Sequence, residues 1–298
     1  MTAALLIIGT GGLVAASCGL LGSFLILRRM SMLGDAISHA VLPGIALAFL
    51  LTQSRHPIPM LFGASTLGLV TAFCTEFLHR TGRLASDAAI GVTFTWLFAV
   101  GVIVISLFAG QIDLDQECVL YGEIAYVPWD TWIVGGRSLG PRALWIMGGV
   151  FCCDLAFVFL CYKELKVTTF DPDLARTLGI STRTFHYLLM GAVSMTTVAA
   201  FELVGAILVV AMLIAPGATA YLLTDRLGWL LLWSVAIGIL SAAGGYGLAM
   251  MIDASIAGAM ATVAGGFFVL ALLGAPHHGI ISRHLARRRS FGNGPPVT

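Results

Sequence analysis

Charged residues are scarce in this chain, and their scarcity excludes most soluble folds. Only 10% of the 298 residues are Asp, Glu, Lys or Arg, whereas 58% are hydrophobic and the mean hydropathy is +0.96. So little polar surface cannot cover a water-soluble globule. The composition therefore predicts an all-α integral membrane protein, a polytopic bundle with many spans.

The chain has very few lysines, and it lacks the lysine-containing nucleotide-binding loop of P-loop ATPases. Neither of the two lysines, Lys163 and Lys166, follows a glycine, so no Gly-x-x-x-x-Gly-Lys-Ser/Thr motif exists. The His-Glu-x-x-His and Gly-x-Ser-x-Gly motifs of hydrolases are missing too. We therefore expect no enzymatic activity, no catalytic residues and no permanently bound cofactor.

Cysteines and basic runs are too few to indicate a disulfide framework or a nucleic-acid partner. Five of the six cysteines fall in apolar stretches, and only Cys118 lies in a polar loop. The longest basic run, at 287–289, has three arginines and is typical of anchoring on the cytoplasmic side of a membrane.

Nine apolar stretches are long enough to cross a bilayer. The sixth and seventh follow each other with almost no connector, so a broken or re-entrant helix would reduce the count to eight. We expect one membrane domain over residues 1–298, with a polar cytoplasmic tail at 290–298. The predicted spans are 3–27, 32–52, 60–78, 88–109, 143–162, 185–203, 204–223, 228–252 and 256–275.

The distribution of Lys and Arg predicts the orientation of the spans. With nine spans, thirteen basic residues fall on one side and three, namely Arg55, Arg137 and Arg142, on the other. Short cytoplasmic loops collect positive charge. The N-terminus is therefore expected outside and the C-terminus in the cytoplasm.

Two polar loops separate these spans. The external loop at 110–141 is rich in Asp, Glu, Trp and Tyr, and is typical either of an interfacial amphipathic segment with an acidic surface or of a solvated, aromatic-anchored loop. The cytoplasmic loop at 163–184 contains Asp171-Pro172, a good helix start, and Gly179, a good helix end. It predicts a short helix, which is either a docking element or an ordinary turn.

Asp35 and His39 form the most informative pair in the sequence. They lie four residues apart within the apolar segment 30–44 and therefore project from one face of a helix. An ionisable residue at membrane depth tends to face a bundle interior or a transport pathway. A carboxylate with an imidazole is half of a site for a divalent transition metal, although the two side chains could instead bond each other or a neighbouring helix.

A single helix supplies two ligands, which are too few to hold a metal ion. A two-fold or pseudo-two-fold dimer would supply two carboxylates and two imidazoles, a complete tetrahedral set. Small residues of the same helix, such as Gly34, Ser38 and Gly44, would permit the close helix approach that such an interface needs.

Three other carboxylates lie in or beside the spans. Glu202 is expected near the external face, either on the cation pathway or reaching external water at a helix break. Asp253 is expected at the surface, and Asp154 is expected to be paired inside the bundle.

The segments 29–44, 171–180 and 205–220 resemble the membrane permease subunits of bacterial ABC transporters for manganese, zinc or iron. The resemblance implies a bundle like those of the vitamin and siderophore (type II) importers in the cytoplasmic (inner) membrane. It implies a second permease subunit, identical or paralogous, two cytoplasmic P-loop ATPase subunits that use ATP, and an external metal-binding lipoprotein. It also implies that Asp35 and His39 match the metal-coordinating pair of that family.

The same resemblance suggests which residues couple the permease to its ATPase. The stretch 215–227 is expected to be a cytoplasmic segment that enters the ATPase cleft, with 171–181 beside it. One departure is the sequence Ala-Ser-Ile-Ala-Gly at 254–258, where the family leads us to expect Pro-x-Gly. The candidate coupling residues are Asp171, Arg176, Gly179, Ala215, Pro216, Gly217, Asp225 and Arg226.

The sequence therefore predicts the permease subunit of an ATP-driven importer of a divalent cation. Two alternatives stay open: a secondary, proton-coupled metal transporter, and a siderophore or vitamin permease in which Asp35 and His39 are structural. A mixed oxygen and nitrogen site accepts manganese, iron and zinc, so the metal is not determined by these residues.

Overall fold

Long helices dominate the part of the protein that the structure describes. The computed structural model describes residues 3–52, 57–82, 84–108, 124–134, 137–275 and 279, and within these ranges nine helices have 18 residues or more. Two short helices lie between the fifth and sixth long ones. The helices are α1 (Ala3–Leu27), α2 (Met32–Thr52), α3 (Pro57–Gly82), α4 (Ser86–Phe108), α5 (Arg142–Leu160), α6 (Tyr162–Phe170), α7 (Pro172–Thr177), α8 (Thr182–Val204), α9 (Ala206–Leu223), α10 (Leu227–Ile252) and α11 (Ile256–Gly274).

By length and composition, seven helices in the described part of the chain are able to cross a membrane: α1, α4, α5 and α8 to α11. α2 and α3, with 21 and 26 residues, pack within the same bundle. The all-α, polytopic fold is therefore confirmed, with a number of long helices close to the predicted eight to nine.

α1 is the centre of the bundle. It packs against α5, α8, α9 and α10, and almost every residue from Thr10 to Leu25 is buried. Small residues make this possible: a methyl group at Gly22 would overlap the carbonyl oxygen of Leu213 on α9. On the α10 side, the Ser234 hydroxyl donates to the carbonyl of Gly19 over 2.8 Å. Close packing of small residues replaces the hydrophobic effect as the source of helix association in lipid.

α2, α3 and α4 form a second packed group, which α8 joins to the rest. A methyl group at Gly44 of α2 would lie 2.8 Å from the carbonyl oxygen of Gly63 on α3, and one at Gly101 of α4 would lie 2.7 Å from Cδ of Pro43. Both glycines therefore set how closely α2 is held by its neighbours.

Helix contacts show which helix ends share a side of the molecule. α10 runs antiparallel to α1, because Ser234 lies beside Gly19 and Gly238 lies beside Ala15. The end of α1 and the start of α10 therefore share one side, which we call the Arg28 side. Within the described ranges it also carries most of the basic residues, namely Arg28, Arg29, Arg80, Lys163, Lys166, Arg176, Arg183 and Arg226.

The two short helices lie on the Arg28 side, where a short capped helix was predicted. The Asp171 carboxylate accepts a hydrogen bond from the backbone N–H of Leu174 over 2.9 Å, Pro172 is the first residue of α7, and Gly179 has φ 76° beyond its end. The predicted helix start and end are therefore confirmed.

α8 and α9 are joined by Gly205 alone. Gly205 has φ 81° and ψ 165°, a conformation that favours glycine, and helices of 23 and 18 residues flank it. The missing connector noted in the sequence is thus a one-residue break between two complete helices.

The described part of the external loop is more regular than the sequence indicates. It contains a 3-10 helix (Ile124–Tyr126) and an antiparallel pair of strands, β1 (Thr131–Val134) and β2 (Arg137–Pro141). Trp129 is exposed, whereas Ile124 is buried against α1. Residues 109–123, which hold most of the predicted acidic surface, lie outside the described residues.

Candidate functional site

Asp35 and His39 meet on one face of α2, as the four-residue spacing predicts. Oδ1 of Asp35 lies 3.6 Å from Nε2 of His39, and the two side chains are 34% and 40% exposed. Asp35 lies in the first turn of α2, so the pair is nearer the Arg28 side than the far end of the helix. A carboxylate and an imidazole nitrogen at this separation are close enough to bind one cation together.

The remaining faces of this part of α2 are covered by the chain itself. Leu33, Ile37 and Ala40 are fully buried. Gly34 lies against Leu213 of α9, because a methyl group there would overlap that side chain. The Ser38 hydroxyl donates to the carbonyl of Gly34 over 2.9 Å. The face that carries Asp35 and His39 is thus the one that the chain leaves half open.

Two aromatic residues of α4 flank the imidazole. The ring of Phe94 stacks on His39 at 5.7 Å between centroids and 30° between planes, and Phe98 meets it edge-on at 6.2 Å. Neither residue is predictable from the sequence, because two phenylalanines four apart on an apolar helix are indistinguishable from lipid-facing ones. Their contact restricts the orientations open to the His39 ring.

The described residues contain no group of three or more His, Cys, Asp or Glu side chains that could hold a metal ion. Asp35 and His39 could supply two ligands, whereas tetrahedral metal sites take four. Within the described part of the chain, the pair alone is therefore too small a ligand set for such a site.

The other carboxylates lie apart from this pair. Glu202 is exposed near the end of α8, on the side away from Arg28. Asp253 is exposed at the end of α10, as expected. Asp154 is buried on α5 and accepts a hydrogen bond from the Thr196 hydroxyl of α8 over 2.8 Å. This contact identifies the bundle partner that the sequence analysis expected for Asp154.

Three of the candidate coupling residues lie on or beside α7. Asp171 caps the helix, and Gly179 follows it with a positive φ. Arg176 is exposed and forms an ion pair of 3.0 Å with Asp173. They form part of an exposed surface on the Arg28 side.

The second coupling stretch, 215–227, is divided between the last turns of α9 and the connector after it. Ala215, Pro216 and Gly217 lie inside α9, and Pro216 and Gly217 are buried against α1. A Pro-Gly pair is typical of a turn, but here the two small residues let α9 pack against α1. Tyr221 near the end of α9 is exposed, as are Asp225 and Arg226 in the connector between α9 and α10.

Membrane-crossing helices with an ionisable pair on a half-open face are typical of a membrane transport subunit. Comparison with known proteins agrees. The chain belongs to the ABC 3 transport family, whose model matches residues 1–275. It is a multi-pass permease subunit of an ABC transporter and not an enzyme, and ATP hydrolysis belongs to a separate subunit.

Individual relatives carry the names of metal transport systems. The chain is 51% identical over 279 residues to the manganese transport system membrane protein MntD of Bacillus subtilis, covering 94% of each chain. It is 44% identical to the zinc transport system membrane protein TroD of Treponema pallidum, covering 92% of this chain and 75% of that one. Among solved structures, PsaBC from Streptococcus pneumoniae in complex with Fab matches with a TM-score of 0.76 and 32% identity, covering 95% of this chain and 94% of that chain.

Proposed function

We propose that this chain is the permease subunit of an importer that moves a divalent transition metal across the bacterial cytoplasmic membrane, with Asp35 and His39 on the cation pathway. The observation that carries the proposal is the position of the pair: both ligands lie on the half-open face of α2, 3.6 Å apart. Ionisable side chains at membrane depth are costly unless they face a pathway or a partner.

A second permease subunit would complete the site. A copy or paralogue placed against the open face of α2 would bring another carboxylate and another imidazole to the same cation. Two carboxylates would neutralise a divalent charge, and two imidazoles would fill a tetrahedral set. The site would then exist only in the assembled pair.

The cation is expected to be manganese or zinc. The named relatives are manganese and zinc transport proteins. A site of mixed oxygen and nitrogen ligands accepts both metals, as it accepts iron. External delivery by a metal-binding lipoprotein would place the cation on the side away from Arg28, where Glu202 is exposed and could attract it.

The ATPase partner is expected on the Arg28 side. α7 offers a capped, exposed helix with Asp171, Arg176 and Gly179, and the connector after α9 offers Asp225 and Arg226. Two cytoplasmic P-loop ATPases, one for each permease subunit, would dock there. Pro216 and Gly217 would act indirectly, by coupling α9 to α1 within the bundle.

The test is metal uptake into cells that lack their own transporters, with the ATPase and binding protein of this system supplied. Asp35→Asn and His39→Gln keep the size of each side chain but remove the charge or the ligand nitrogen. We expect each to lower manganese or zinc uptake at least about tenfold, because a carboxylate or imidazole ligand is lost from a site with few ligands.

The matched control is Asp253→Asn, which removes an exposed carboxylate at the end of α10, on the side away from Arg28. Its uptake should equal that of the unaltered chain. Normal uptake by both pair variants, at equal membrane abundance, would show that Asp35 and His39 are structural. An ATPase partner without its P-loop lysine should abolish uptake, whereas proton-coupled secondary transport would continue.

A further inference from the structure

A cleft of about 570 Å³ opens on the Arg28 side, between the end of α1 and the helices α3, α6, α7 and α8. Its lining differs from the Asp35–His39 face in both charge and position. We call it the arginine cleft, and the residues that matter to its chemistry are Arg28, Arg29, Thr75, Glu76, Arg183 and His186.

Arg28 is fixed in the wall of this cleft. Its guanidinium donates to the hydroxyls of Thr169 and Thr168, over 3.1 and 3.0 Å. Both partners are neutral, and burial lowers the pKa of Arg28 to about 10, so the side chain keeps its charge at neutral pH. A partly buried cation held by neutral groups favours an anion beside it.

The other charges of the cleft do not cancel this cation. Glu76, the one carboxylate in the described lining, lies 3.5 Å from His186, and the two side chains are 11% and 15% exposed. Arg176, also in the lining, pairs with Asp173. Arg29 and Arg183 are exposed at the mouth. The described lining is therefore net positive.

Thr75 gives an independent indication of a ligand. Its side chain is only 2% exposed, and its hydroxyl has no hydrogen-bond partner in the described part of the chain. One turn earlier, the Thr71 hydroxyl donates to the carbonyl of Leu67 in the way usual for a helix. A buried hydroxyl without a partner costs free energy, so an acceptor bound in the cleft would explain its position.

We propose that the arginine cleft binds a phosphate group, which accepts hydrogen bonds from Arg28, Arg29, Arg183 and the Thr75 hydroxyl. Guanidinium groups match the oxygen geometry of phosphate, and charge-assisted hydrogen bonds of this kind are strong. The cleft lies at the ends of membrane-crossing helices, where basic pockets between helices meet phospholipid headgroups. An anionic phospholipid and free phosphate are the two sources of such a group. This site is separate from the proposed metal pathway.

The test uses the purified full-length chain with its co-purifying subunits, delipidated in neutral detergent. Native mass spectrometry measures retention of phosphatidylglycerol against phosphatidylcholine, and thermal unfolding measures the effect of inorganic phosphate against chloride. The variants are the double change Arg29→Gln with Arg183→Gln, and separately Thr75→Val. The control is Lys166→Gln, which removes an exposed positive charge on the same side but outside the cleft.

A lipid phosphate site would be established if the unaltered complex selectively retains phosphatidylglycerol. The double change should weaken this retention at least about tenfold and Thr75→Val about threefold, whereas Lys166→Gln should leave it unchanged. A phosphate-dependent rise in the unfolding temperature that the same variants lose, without lipid preference, would establish free phosphate as the ligand. If the double variant does not assemble, the effect of Thr75→Val on phosphate or lipid binding decides between these outcomes. This variant leaves every charged residue of the complex in place.

Absence of both effects in the unaltered complex would overturn the proposal. It would also be overturned if the double change released the ATPase from the complex while phosphate and phosphatidylglycerol had no effect on the unaltered protein. That result would mean that the arginines bind an acidic protein surface.

Discussion

His39 is held more firmly than its partner Asp35, because Phe94 and Phe98 restrict its ring while the carboxylate meets only the imidazole among the contacts described above. A ligand whose orientation is set before the metal arrives loses less conformational entropy on binding. On the proposed function, the α4 aromatics therefore contribute to affinity without touching the cation.

Phe94→Ala should raise the metal concentration that half-saturates uptake about threefold to tenfold, because an aromatic contact of this kind is worth about 0.5–1.5 kcal/mol. The maximal uptake rate should be kept, since both ligands remain. Phe73→Ala is the control, because Phe73 belongs to another aromatic pair, with Phe77 on α3. An unchanged half-saturating concentration for Phe94→Ala would remove any positioning role for the ring contact.

Arg29 has a backbone conformation that rarely suits a side chain. It follows the end of α1 with φ 58°, and the N–H groups of Met30 and Arg29 donate to the carbonyls of Leu25 and Ile26. This is the helix ending in which glycine is usual. An arginine at this position indicates that its positive charge has a role that offsets the free-energy cost of the strained backbone. This agrees with the proposed phosphate site.

Arg29→Gly should therefore raise the stability of the lipid-free protein by about 1 kcal/mol, because glycine has no Cβ to be strained at positive φ. Thermal unfolding in detergent without phosphate measures the gain. Arg29→Ala removes the same charge but keeps the Cβ, so it should show no such rise. Equal melting temperatures for the two variants would contradict the strain explanation.

The sequence alone predicts that Asp35 and His39 share one face of a helix, but it does not predict what surrounds them. Asp35 and His39 were predictable because charge is rare at membrane depth and the spacing of four is helical. Phe94, Phe98 and the open face of α2 were not, since they depend on which helices pack against α2. Thr75 carries no signal either, because whether its hydroxyl has a partner is decided only by the fold.

At the scale of the element, α1 sets the architecture. Gly19 of α1 faces α10, and Gly22 of α1 faces α9. At both positions the neighbouring helix lies closer than a larger side chain would allow. Such contacts depend on close complementarity of shape, so one added methyl group forces the two helices apart and destabilises the protein.

Gly22→Ala should destabilise the protein by about 1–3 kcal/mol or more, because the new methyl group meets the backbone of Leu213 and not a flexible side chain. Unfolding in a detergent and denaturant series measures the loss. Gly148→Ala on α5 is the matched control, since a methyl group there has no neighbour within 4 Å. Equal stability of the two variants would mean that α1 and α9 are free to separate.

Helix positions followed well from the apolar stretches, and the misplaced elements share one cause. The helices at 3–27 and 32–52 begin and end at the predicted residues, and the other long helices differ by at most four residues. Residues 215–217 were expected in a cytoplasmic coupling segment because the stretch 215–227 resembles that segment in related permeases. Pro216 and Gly217 are tolerated inside α9 because small residues of α1 pack against them. The sequence of α9 alone does not show which helix lies against it. The strand pair at 131–141 was not predicted either, because strand pairing depends on contacts between separate segments of the chain.

At the scale of the whole molecule, the Arg28 side carries most of the basic residues in the described ranges. From the positive-inside tendency we predict that this side faces the cytoplasm. The proposed ATPase surface, the arginine cleft and the exposed connector at 224–226 would then all face the cell interior.

Single cysteines test this orientation in intact cells. Asp225→Cys should react with a membrane-impermeant maleimide only after permeabilisation, whereas Trp129→Cys, at an exposed position on the other side, should react from outside. The unaltered chain gives the background from its native cysteines. The reverse pattern would invert the proposed topology and move the ATPase surface outside.

The half-open face of α2 also has a genetic consequence. If each transporter contains two copies of this chain, a copy with Asp35→Asn inactivates every assembly that it joins. Equal expression of altered and unaltered chains would then leave about one quarter of the assemblies intact, whereas pairing with a paralogue would leave about one half. A defective allele of a two-copy transporter would therefore be partly dominant in a cell that carries both.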